Sequence, residues 1–302
     1  MNTTTLTDPR ADLVAAWLGG RVIRTQQAYR QALGHYAAWA GTDPAAAVAG
    51  LLGGGAGQAN ARVLGYRNSM TEAGLAPATI AQRLAALRSL VKLARTLGLV
   101  AWQIEIASPK VAPYRDTRGP GTDGVRAMLA ATDDPRDRAV LRLLYDLALR
   151  RGELVALDYP ADVDLRRGTV AVRGKGRHDR ADMTLPEPTK RALRAWLRER
   201  GDAAGPFFLN RDRAHKGADG RLTGHSVARV VAAAAVRAGI DRRVTPHGLR
   251  HASITAALDS GVGVREVLAH SRHADVRTVL MYDDRRRDDG GRIAALVAAE
   301  IE

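Results

Sequence analysis

Thr245-Pro246-His247-Gly248-Leu249-Arg250-His251 is the stretch from which the rest of the chain can be read, and Tyr282 follows it about thirty residues later. Thr before Pro suits a helix start, with the hydroxyl as cap and the ring at the first helical position. His247 and Arg250, three apart, then leave one helix face. An imidazole and a guanidinium fork at a positive helix end form a setting for phosphate. A capped helix with surface polar residues would read the same, so the remainder of the chain has to decide.

The 302 residues suffice for two domains with sizeable cores. Cysteine is absent, which removes disulfides and thiolate metal sites and suits a reducing cytoplasm. Met1 to Arg10 is polar, with no signal-peptide apolar core, and no run approaches the length of a membrane span. The net charge of +14 points to a polyanionic partner. Only five of the basic residues are lysines, a bias that a GC-rich genome also produces.

Residues 1–107 read as an all-helical unit. Thr25 to Ala40 sets Ala28, Ala32, His35, Tyr36 and Trp39 at helical spacing, with Gly57 to Ala73 and Ala78 to Leu97 following. The last of these lines up Ile80, Leu84, Leu87, Leu90, Val91 and Ala94, and Gly50 to Gly57 reads as a loop. Arg83, Arg88, Lys92 and Arg95 lie along the polar side of the last helix, either as a solvated face or as contacts to a nucleic-acid backbone. Residues 108–121, rich in proline and glycine, read as a linker.

The unit from 122 to 302 opens with helices near Asp123 and Pro135. The second runs into Ala148-Leu149-Arg150-Arg151-Gly152-Glu153-Leu154, where Gly152 marks the expected break. An ion pair between Arg150 and Glu153 is expected at that spacing. Thr169 to Arg173 alternates as a strand, Gly174-Lys175-Gly176 turns, and Arg180 to Leu185 returns. Lysine can give up a proton where arginine cannot, so Lys175 is either an exposed turn residue or a proton donor. Helices follow over Thr189 to Arg200, Ser226 to Ala238, from Thr245, over Val264 to Ala269, over Val276 to Met281, and over an apolar tail Arg292 to Ile301.

Together, ALRRGEL at 148–154, VRGKGR at 172–177, TPHGLRH at 245–251 and SRHADVRTVLMYDDRRR at 271–287 resemble the ordered signature of the tyrosine recombinases, the phage-integrase and Xer-like family. The resemblance implies a mainly α fold with a small antiparallel β-sheet. It makes residues 1–107 a helical core-binding, DNA-binding domain and 122–302 a catalytic domain with a C-terminal tail helix. It makes Arg150 and Arg250 phosphate clamps, Lys175 the general acid, His247 the first histidine of the H-x-x-R box and Tyr282 the nucleophile. Glu153 matches the supporting acidic residue, and His251 a histidine with a structural part. The implied reaction cuts and rejoins DNA through a covalent 3′-phosphotyrosine, needing no cofactor, metal or ATP.

Two departures stand out. The family's Gly-Leu-Arg reads Ala148-Leu149-Arg150, and its Leu-Gly-His reads Leu268-Ala269-His270. The family histidine stands nine residues before the tyrosine, which selects His273, with His270, one turn away, as the alternative. A zinc-protease reading of His247 and His251 fails at Gly248, where a glutamate is needed, and no metal site is expected. The resemblance implies double-stranded DNA as partner, a monomer when free, a homotetramer on paired sites, and no membrane, and leaves room for accessory DNA-bending proteins. The competing readings are an architectural DNA-binding relative and a type IB topoisomerase-like nicking-closing enzyme.

Overall fold

The computed structural model describes residues 13–110, 119–173, 180–211, 219–273, 275–280, 294 and 297–300. The chain divides into two compact units, Met1–Tyr114 and Arg115–Glu302.

The first unit contains α1 (Leu13–Leu18), α2 (Ile23–Trp39), α3 (Pro44–Gly53), α4 (Gly55–Glu72) and α5 (Pro77–Thr96). All six apolar residues expected to line one side of α5 are buried. The stripe of α2 differs from expectation: Ala32, Leu33, Tyr36 and Ala37 are buried, while His35 is exposed and Trp39 is 40% exposed. The stretch read as a loop, Gly50 to Gly57, is also helical except at Gly54. Asp43 caps α3 by accepting from Ala45 N at 2.8 Å and Ala46 N at 2.9 Å, with Pro44 at the first position. A good start and the burial of Leu51 outweigh the glycines, each worth only about 1 kcal/mol against a helix.

In the second unit, α6 (Gly121–Ala130), α7 (Pro135–Asp146), α9 (Glu187–Arg200), α10 (Gly224–Arg237) and α11 (Pro246–Asp259) pack around one core. Met128, Leu143, Leu144, Leu193, Phe207 and Val231 are completely buried in it. The expected hairpin is β3 (Thr169–Arg173) with β4 (Arg180–Thr184), antiparallel and registered with Val170 opposite Met183. A short β2 (Val163–Asp164) extends it to three strands, and β1 (Asp158–Tyr159) pairs with β5 (Gly205–Pro206). These two-residue strands carry no alternation that a sequence can show.

The short helices α8 (Arg151–Val155), α12 (Val264–Ser271) and α13 (Val276–Leu280) complete the unit. A satellite core of Ala148, Ile254, Val267 and Val279 ties the α7–α8 turn to α11, α12 and α13. That small cluster is what brings distant segments of sequence to one place.

Candidate active site

The site begins at the start of α11. Thr245 Oγ1 accepts a hydrogen bond from Gly248 N at 3.0 Å, and Pro246 occupies the first turn. A well-started helix fixes where His247 and Arg250 emerge. Arg250 is 1% exposed. A buried guanidinium is costly unless its donors are used, and here they are. Its Nη1 donates to the carbonyl of Ala148, and its Nη2 donates to the carbonyl of Ser271 and, at 3.1 Å, to His273 Nε2.

Ala148 explains where α7 stops. Its φ is +46°, a left-handed conformation costing a non-glycine residue about 1–2 kcal/mol. The break therefore falls at Ala148, not at Gly152, which lies inside α8. The turn aims the Ala148 carbonyl inward, where Arg250 Nη1 and Arg272 Nη2 both donate to it, the latter at 3.1 Å. Net gains of about 1.5–3 kcal/mol per hydrogen bond to a charged group outweigh the strain.

After the turn, Arg150 stands as the N-cap residue of α8, and Glu153 reaches back in the manner of a capping box. Glu153 Oε2 accepts from Arg150 N at 2.8 Å, and Oε1 accepts from Arg150 Nη1 at 2.6 Å. Arg150 Nη2 donates to the Arg272 carbonyl at 3.1 Å. The fork is thus held at both tips while its side chain stays 33% exposed, so it can still meet a ligand.

Arg272 was not among the residues singled out from sequence. It follows α12 with φ +54°, again left-handed. Its guanidinium donates to the carbonyls of Leu147 and His270, each at 3.0 Å, and to Glu153 Oε2 at 2.9 Å. Burial drives the Glu153 carboxyl upward, but Arg272 and the two Arg150 hydrogen bonds outweigh it and hold the group below the usual carboxylate range. Glu153 is therefore ionised at neutral pH and joins two arginines.

The two candidate histidines separate cleanly. His270 Nε2 lies 3.0 Å from Ser253 Oγ, a contact that seats α12 on α11. His273 faces Arg250 instead. A guanidinium has no acceptor, so His273 Nε2 accepts and the ring proton sits on Nδ1. Burial, then Arg250, Arg150, His247 and Arg272 in that order, push the His273 pKa down to about 4. His247 leaves much of its surface open, yet the protein packed around it still lowers its pKa by withdrawal from water, followed by Arg250 and Arg150. His251 contacts Thr255 Oγ1 through Nδ1 at 3.2 Å, within its own helix. Arg150, His247, Arg250 and His273 thus share a positive potential suited to an anion.

Residues 122–288 match the phage integrase family model. The chain belongs to the phage integrase family. A tyrosine recombinase of Synechococcus elongatus is 37% identical over 203 residues, 63% of this chain and 62% of the relative. A tyrosine recombinase XerC of Xanthomonas campestris is 32% identical over 194 residues, 60% of this chain and 55% of the relative. These matches span less than two thirds of the relatives' lengths. Among solved structures, the Tn1549 transposon integrase in complex with transposon right end DNA superposes with a TM-score of 0.71 at 15% identity, covering 96% of this chain and 99% of that one. A lambda integrase dimer bound to a COC′ core site gives 0.67 at 15% identity, covering 92% and 96%. The fold is that of these integrases.

Of the residues that the phage integrase signature selects, Arg150, His247, Arg250, His273 and the supporting Glu153 come together. Lys175 and Tyr282 lie outside the described residues, as does half of the tail Arg292 to Ile301. Strands β3 and β4 end at Arg173 and begin at Arg180, on either side of Lys175 in sequence, and α13 ends at Leu280, two residues before Tyr282. The four basic residues proposed on α5 differ among themselves. Arg88 donates to the Ile106 carbonyl and, at 3.0 Å, to Ser108 Oγ, so it braces the end of its own unit. Arg83 is half-buried beside Tyr66, while Lys92 and Arg95 are exposed, Arg95 Nη1 donating to Gln103 Oε1 at 3.1 Å.

Proposed function

We propose that this protein is a site-specific DNA recombinase that cuts and rejoins strands through a covalent 3′-phosphotyrosine. The observation that carries this reading is the convergence of Arg150, His247, Arg250 and His273 from three separate stretches of sequence onto one positive site. Two arginines and a histidine around the nonbridging oxygens offset the charge that builds in the pentavalent transition state. The Tyr282 oxygen attacks phosphorus, the bond to the 5′-oxygen breaks, and Lys175 gives that oxygen its proton. Religation reverses the same step, since the phosphotyrosine conserves the phosphoester, so the reading calls for neither ATP nor metal.

The first unit would clasp double-stranded DNA, with Lys92 and Arg95 as backbone contacts. Paired sites would bring four copies together in the cytoplasm, the free protein being a monomer, with the tail helix docked on a neighbouring copy. A duplex with a nick just 3′ of the scissile phosphate tests the reading, because loss of the short fragment prevents religation. The expected result is a sequence-dependent covalent complex on a denaturing gel. Relaxation of supercoiled DNA without sequence preference would favour the topoisomerase reading, and binding without any covalent complex the architectural one.

A further inference from the structure

We propose that Arg272 is a positioning residue of this site, a clamp that sets the Arg150 fork and the His273 ring by joining the two left-handed turns at Ala148 and Arg272. The inference rests on the recombinase reading above for its activity arm and on geometry alone for its other arm.

Two non-glycine residues with positive φ are described in the chain, Ala148 and Arg272, and they meet. Arg272 Nη2 donates to the Ala148 carbonyl at 3.1 Å and to Glu153 Oε2 at 2.9 Å, and Nη1 reaches the carbonyl of Leu147 at 3.0 Å. Such conformations persist only when their surroundings over-determine them. At Ala148 the surroundings include the satellite core, where its methyl is fully buried. At Arg272 they are the contacts of the guanidinium itself.

The clamp acts on Arg150 from two sides. The Arg272 side chain holds Glu153, which holds Arg150 N and Nη1, and the Arg272 carbonyl takes Arg150 Nη2. It acts on His273 through the chain, because the left-handed turn at the preceding residue directs His273 back to Arg250. Glycine would satisfy the φ of residue 272 more easily than arginine. The contacts, not the backbone, account for an arginine there: besides the His270 carbonyl and Met183 Sδ, they reach Leu147, Ala148 and Glu153, the groups that lead into and hold Arg150.

Arg272→Gly is therefore an informative change, since it relaxes the backbone while removing the guanidinium and its contacts. On the nicked duplex at saturating protein, we expect single-turnover formation of the covalent complex to fall at least thirtyfold while single-site DNA affinity changes less than threefold. The acid limb of the rate–pH profile should move up, because Glu153 loses one of the two cations that hold its pKa down and keeps only Arg150. Arg272→Lys should recover little of the rate, as one ammonium cannot span Ala148, Leu147 and Glu153 together. Unaltered rate and pH profile in Arg272→Gly would overturn the clamp, as would parallel losses of binding and rate with no pH shift. The second arm needs no activity: a denaturant double-mutant cycle of Arg272→Gly with Glu153→Gln should show at least tenfold coupling in the unfolding equilibrium. Additive effects there would refute the clamp. A wild-type protein that forms no covalent complex, with coupling intact, would instead count against the recombinase reading alone.

Discussion

Replacing Glu153 by glutamine keeps the shape of the side chain and removes its charge. The carboxylate accepts three hydrogen bonds, from Arg150 N, Arg150 Nη1 and Arg272 Nη2. Its side chain is 5% exposed, that of Arg272 13% and that of Arg150 33%. Glutamine retains one acceptor oxygen but turns an N–H toward an arginine donor. Loss of one partner of a buried ion pair costs about 3–5 kcal/mol, and the partial exposure of Arg150 argues for the lower end, about 3 kcal/mol. For a unit of this size, that lowers Tm by roughly 6–12 °C. The dependence on pH separates charge from shape. Glu153 has its pKa depressed in the folded protein, so its stabilisation is full above the unfolded carboxylate value and fades as pH falls through the folded one. The gap between wild type and Glu153→Gln should hold from neutral pH to about pH 5 and narrow below the usual carboxylate range. Thermal melts of both proteins across pH 3–7 measure it. A gap that stays constant with pH, or a loss below about 1 kcal/mol, would refute the ionised bridge.

Three further outcomes are expected. His273→Ala should slow single-turnover cleavage about a hundredfold, as for loss of one transition-state donor, and His270→Ala much less; the reverse order of rates would reassign the role. Lys175→Ala should recover on a substrate whose leaving 5′-oxygen is sulfur, since a thiolate departs without a proton, whereas Arg150→Ala should not; failure of both would remove Lys175 from the acid role. The His273 ring should titrate near pH 4 in the free protein and at higher pH once a DNA phosphate adds negative charge among the arginines; ring-proton NMR that shows no upward shift on adding DNA would place the phosphate elsewhere.

Much of the fold was legible where periodicity was long. The face of α5, the β3–β4 hairpin and the Thr245 start of α11 each carry a local signal that tertiary packing only reinforces. The candidate site was legible because its residue types stand in a recognisable order, and the nine-residue spacing selects His273, the histidine that faces Arg250. What stayed hidden lay in non-local compensation. Gly50 to Gly57 looked like a loop because propensity counts the glycines and not the burial of Leu51. The α7–α8 break was expected at the glycine, but the strain sits on Ala148, balanced by two arginines more than a hundred residues away in sequence. Arg272 belonged to a stretch of charged residues, and nothing in spacing marks an arginine in a left-handed turn. Gly119 looked like linker, yet a Cβ there would lie 2.8 Å from Ala252 N, so this end of the linker packs tightly on α11.

Identifying the residue that becomes bonded to DNA decides whether Tyr282 is the nucleophile. Cleavage after arginine releases Thr278 to Arg285, a peptide whose single tyrosine is Tyr282. Wild-type protein trapped on the nicked duplex, digested with nuclease and trypsin and analysed by mass spectrometry, should yield that peptide carrying a 3′-nucleotide phosphate on Tyr282. The same treatment of Tyr282→Phe should yield DNA-bound protein before denaturation and no modified peptide after it. A nucleotide on any other residue, or undiminished covalent linkage in Tyr282→Phe, would rule out Tyr282 as the nucleophile.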